Sequence, residues 1–196
     1  IKNYKKCNII IHTLNQWMII ERNSDIYSTI EYQKNQIATI ISRFLKPKYL
    51  YFELGIMTEK NNFWQYVAAN KDSLTDLDVT FSSPNFLRGL DTVSDLLHET
   101  NNIYNNTSMS IHLKNEDGHL NIDNKNPFLQ DAIRYSSSGC GKWKVKSSTA
   151  KVYSSTDNPF IVQLPEDVSQ LKDSDLQIIE STLNHVQKLD SESRKE

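Results

Sequence analysis

The sequence predicts an α+β protein, and three observations carry that expectation. Short β-rich segments alternate apolar with polar residues, as in residues 77–82 (LDVTFS) and 108–114 (SMSIHLK). Between them run stretches whose apolar residues recur every three or four positions, the spacing of one helix face. Turn chemistry separates the two kinds of segment, at Ser83-Pro84-Asn85 and at Asn115-Glu116-Asp117-Gly118.

In chain order, residues 7–14 and 17–20 are almost continuously apolar and predict a buried strand, or a hairpin turning at Asn15-Gln16, with Cys7 in its core. Ser24 and Asp25 offer an N-cap to a helix carrying Ile26, Ile30, Gln33, Ile37, Ile41 and Phe44 on one face and stopped by Pro47. Residues 49–57 (YLYFELGIM) are rich in aromatics and predict a strand, followed by a short helix through Phe63, Trp64, Tyr66 and Val67. The polar run over 71–76 is the best internal boundary. The expected organisation is a βαβα half over 1–75, a second half over 76–155, a strand and helix over 156–190, and a frayed tail over 191–196.

The second half has the sharper pattern. After the strand at 77–82 comes a helix over 87–101 through Leu90, Val93, Leu96 and Leu97, then a hairpin of 108–114 with 119–123 (HLNID). Asn126-Pro127 opens a helix through Phe128, Leu129, Ala132, Ile133 and Tyr135, and a last strand starts near Gly139. The order β-α-β-β-α-β is the ferredoxin-like split βαβ arrangement. Over residues 77 to about 146 it resembles the fold of RNA-recognition motifs and of the repeat-processing proteins of CRISPR systems, which often carry a glycine-rich loop where Gly139 and Gly141 fall here. Beyond it, residues 151–154 are expected to pair back, 160–164 to form a strand, and Asp173 or Ser174 to cap a helix with Leu176, Ile179, Leu183 and Val186 on one face.

Composition narrows the functional classes. The 196 residues carry a formal net charge of -2 and are 38% hydrophobic, so the overall basic charge of a dedicated phosphate-backbone binder is missing. Cys7 and Cys140 lie far apart and supply no disulfide framework, which favours a reducing, cytoplasmic compartment. No apolar run is long enough to predict a membrane partner. The chain opens on Ile1, which reads as a processed product or a piece of something longer.

The candidate sites cluster in the second half. In SSGCGKWKVK, strand alternation sends Trp143 and Val145 to one face and Lys142, Lys144 and Lys146 to the other. With the last strand beside the first, those lysines join Asp78, Thr80 and Ser82, then Ser110, His112 and Lys114, then His119, Asn121 and Asp123 on one polar sheet face. This face offers cations for phosphate or for a protein partner but no aromatic for stacking bases. The alternative is an edge strand guarded by lysines against aggregation.

Gly139 reads as the residue ending a helix with positive φ, and Gly141 as relief where the strand begins. A phosphate loop would instead need a strand before it, a helix after it and GK[ST] at its end. Cys140 stands near cations but has no cysteine-enzyme signature around it. Asp117, Asp123 and Lys125 form a D-x-K pattern that could hold Mg2+, or simply serve turns. His112 and His119 would face each other across the expected hairpin, where a pair could bind a metal or act as acid and base on RNA.

These readings lead to a non-catalytic recognition or assembly module of a larger cytoplasmic bacterial system, with no cofactor, contacting RNA, DNA or a protein through its lysine strand. A nuclease using His112 and His119, or Asp117, Asp123 and Lys125, is the alternative, and a homo-oligomeric scaffold without ligand is a third.

Overall fold

The computed structural model describes residues 5–13, 17–82 and 91–163, together with Gln177, Ile179 and Ser181. The expected breaks at Asn15-Gln16 and Ser83-Pro84-Asn85, the C-terminal helix cap and most of that helix's face, and the tail lie outside the described residues. The architecture is mixed helix and antiparallel sheet. It divides into two compact units, one of residues 1–54 and 162–185, the other of residues 55–161 and 186–196.

In the first unit, β1 (Ile9–His12) and β2 (Trp17–Ile20) form an antiparallel hairpin with Ile9 opposite Ile20 and His12 opposite Trp17. The His12 and Trp17 rings stack at 4.9 Å. Cys7 precedes the strand instead of lying within it; its thiol accepts from Gln33 Nε2 at 3.3 Å and donates to Glu21 O at 3.2 Å. Partial burial raises its pKa despite the Gln33 bond.

Helix α1 (Ile30–Leu45) begins later than Ser24 or Asp25 would place it. Asn23 takes those residues into a turn, its side chain accepting from Asp25 N and its carbonyl from Ile26 N and Tyr27 N. Thr29 then caps the helix through Tyr32 N at 3.1 Å. The strand expected over 49–57 does not form. Tyr49 adopts φ 58° after the Pro47 turn, and Tyr49 and Tyr51 are fully exposed instead of packed. Only Thr58 reaches a ladder, in a single antiparallel bridge to Pro159.

The second unit holds the main sheet. Its strands are β3 (Leu74–Ser82), β4 (Ser108–Lys114), β5 (Gly141–Ser147) and the short β6 (Tyr153–Ser154), in the order β4-β3-β5-β6 and antiparallel throughout. Helices α2 (Lys60–Ala69), α3 (Asp91–Tyr104) and α4 (Pro127–Tyr135) supply Phe63, Val67, Val93, Leu97, Leu129, Ala132 and Ile133 to the core that Leu77, Val79, Phe81, Trp143 and Val145 build from the strands. One sheet face is therefore covered by helices and the other is left open. Because Phe63 and Val67 are buried in this core, α2 belongs with the sheet, and the division falls at Leu54/Gly55 rather than in the polar run after residue 70.

The expected hairpin is only half formed. Gly118 closes the turn at φ 79°, its N–H donating to Asn115 O, but residues 119–123 are not a strand. Leu120 N–H donates instead to Leu74 O at 2.9 Å, at the end of β3, and Ile122 enters the core. The apolar alternation of HLNID is thus spent on burial without a ladder. β4 consequently lies directly beside β3, and the element order becomes β-α-β-α-β where the ferredoxin-like reading had β-α-β-β-α-β. Residues 160–163 likewise form no strand.

Candidate functional site

The open face of the sheet is built by alternation in three strands. In β5, Trp143, Val145 and Ser147 are buried while Lys142, Lys144 and Lys146 are exposed. Trp143 fixes this orientation: its ring meets Phe63 edge-on at 5.1 Å, its indole N–H donates to Ser137 Oγ at 3.2 Å, and its backbone N–H donates to Ser155 Oγ at 3.1 Å. The three ammonium stems accordingly leave the sheet on the same side, about 7 Å apart along the strand.

Pairing with β3 decides what surrounds them. Lys146 stands opposite Asp76, Lys144 opposite Asp78 and Lys142 opposite Thr80. On the other side of β3, Lys114 stands opposite Asp76, His112 opposite Asp78 and Ser110 opposite Thr80. The face is therefore a set of rows in which a central carboxylate is flanked by basic groups on both sides, next to a neutral row joined by the Thr80–Ser110 hydroxyl contact at 3.0 Å.

Contacts follow that layout. Asp76 has a Lys146 Nζ at 3.9 Å and His112 Nε2 at 4.0 Å. His112 Nδ1 contacts the Asp78 carboxylate. Lys114 Nζ donates to Glu116 Oε1 at 2.6 Å, which raises the pKa of Lys114 and lowers that of Glu116. The Lys114–Glu116 pair is fully exposed to water, which screens it, so it orders the two side chains more than it stabilises the fold.

The catalytic pairings considered from the sequence are not assembled. His119 is exposed on a coil segment, and the cross-strand neighbour of His112 is Asp78. Asp123 accepts from the backbone N of Lys125 at 2.8 Å, a turn leading into the Asn126 cap of α4, and Asp117 N is held by Asn115 Oδ1 at 3.0 Å. Among the described residues no group of three or more His, Cys, Asp or Glu could hold a metal. Gly139 has φ 95° at the end of the wide turn that follows α4, in keeping with its helix-ending role. Gly141 is extended, and its reason is steric: a Cβ there would lie 2.2 Å from Thr80 O.

Sequence reasoning placed Asp78 on this face and missed Asp76, because β3 starts three residues before the expected strand. Extending the alternation of LDVTFS backward would have found it. No helix among the described residues is long and apolar enough to cross a membrane. No protein-family model, curated protein or solved structure matches the chain.

Proposed function

We propose that the chain is a non-catalytic recognition or assembly module whose open sheet face docks a protein partner. The observation that carries this reading is the placement of Asp76 and Asp78 between basic groups of both neighbouring strands. A phosphate backbone approaching Lys142, Lys144 and Lys146 would meet these carboxylates and Glu116 within the same patch, and like charge opposes it. A protein surface can match rows of alternating sign, which gives specificity more than raw affinity. The nucleic-acid branch of the expectation is therefore the weaker one, and base stacking has no aromatic on this face to use.

Reversing the three lysines together, Lys142→Glu, Lys144→Glu and Lys146→Glu, tests the reading. The full chain and the variant are compared as bait in a lysate of the source cells, with and without nuclease. The expected result is a protein captured by the parent chain, insensitive to nuclease, and reduced at least tenfold with the variant. Equal capture by both baits contradicts the proposal, and loss of capture on nuclease treatment returns the face to nucleic acid.

A further inference from the structure

Strand β4 lies at the edge of the main sheet, and no strand among the described residues pairs with its outer side. Asn115 N–H donates to Thr75 O at 2.8 Å, continuing the β3–β4 ladder. Since the N–H and C=O of one strand residue point the same way and alternate along the chain, Met109, Ile111 and Leu113 bond toward β3. Ser108, Ser110, His112 and Lys114 turn their main-chain groups to the open edge. The Ser108 carbonyl agrees with this, since it is taken from outside the ladder by Asn106 Nδ2 at 3.0 Å.

On the helix side, the same edge borders an open groove of about 430 Å3 whose lining includes Ile111, Leu113 and Phe128 together with the polar Asn121, Asp123 and Lys125. Leu113 remains 42% exposed there. An edge whose Ser110, His112 and Lys114 main-chain groups have no strand partner among the described residues, beside the exposed Leu113 and the part-exposed Ile111, is a template for another strand.

We propose that a second copy of this chain occupies the edge, β4 against β4 in antiparallel register about Ile111. The strand SMSIHLK is complementary to itself in that register. Ile111 meets Ile111, Met109 meets Leu113, Ser110 meets His112 and Ser108 meets Lys114, so apolar residues face apolar ones on the groove side and no like charges stand opposite each other. The parity is also right: the edge-facing main-chain groups of Ser110 and His112 meet those of the other copy. A shift by two residues in either direction leaves part of the strand unpaired, and one of the two shifts sets His112 against His112.

Pairing about a two-fold axis keeps equivalent faces on one side. The two open faces would join into one continuous surface of eight strands, a result independent of what that surface binds.

The test is the solution mass of the full chain over a range of concentrations, for the parent and two variants of the exposed Ser108. The parent is expected to be a dimer in equilibrium with monomer. Ser108→Lys sets an ammonium opposite Lys114 of the other copy at two symmetric positions and should weaken association about tenfold, whereas Ser108→Glu should tighten it by a similar factor. Circular dichroism of each variant checks that the fold is kept. A monomer at every concentration overturns the proposal, as does a dimer indifferent to both substitutions.

Discussion

Trp143→Ala is expected to destabilise the sheet unit by about 3–5 kcal/mol, a large share of the stability of an ordinary domain. The indole is 1% exposed and lies between Phe63 and Tyr153, with ring centroids at 5.1 and 5.5 Å. Its loss removes the largest buried side chain of β5 and leaves a cavity that the sheet, fixed by pairing to β3 on one side and β6 on the other, can only partly close. Ser137 Oγ also loses the indole N–H as a partner. Trp143→Phe separates the two effects: it keeps an aromatic ring and forfeits that bond, so about 1–2 kcal/mol is expected. Urea midpoints of the two variants and the parent measure the difference. Similar midpoints for alanine and parent would mean that Trp143 does not anchor the strand.

Gly141→Ala should be the second large effect, at about 3 kcal/mol. Its φ of -177° is accessible to alanine, so the cost is contact alone. The new methyl would sit 2.2 Å from Thr80 O, a backbone atom of the central strand that cannot withdraw without opening the β3–β5 ladder, and 3.1 Å from Cβ of the buried Ser136 in the turn after α4. Gly55→Ala meets the same obstacle against Gly139 O at 1.7 Å. Gly118→Ala makes the contrast: it has positive φ but no neighbour closer than 3.6 Å, so about 1 kcal/mol of backbone strain is all that is expected. Chemical denaturation of the three variants should rank Gly118→Ala as the mildest. The reverse ranking would show that conformation and not close approach selects these glycines.

The parts of this fold that were legible in the sequence are those decided locally. Asn126 accepts from Leu129 N at 3.1 Å and Pro127 follows it, so the start of α4 is written in two residues. The facing of Lys142, Lys144 and Lys146 away from Trp143 and Val145 follows from strand period alone.

Features decided by distant partners were not legible. Residues 49–57 have the aromatics of a strand, yet their polypeptide finds no ladder until Thr58, and strand preference has little meaning without a neighbour. Residues 119–123 alternate as a strand does because Leu120 and Ile122 pack on the core, while the main-chain partner of Leu120 is Leu74, 46 positions earlier. The same misplacement removed the His112–His119 pair and put Asp78 in its place. Gly55 gave no local signal, since the carbonyl that requires it belongs to Gly139.

The docking face is tested most directly by amine acylation of the full chain, read at each lysine by mass spectrometry, with the chain free and with its captured protein partner bound. Lys142, Lys144 and Lys146 should react readily in the chain alone and be protected severalfold in the complex, more than the exposed Lys71 in the turn before β3. Unchanged reactivity of the three β5 lysines on binding would place the partner elsewhere and contradict the assignment.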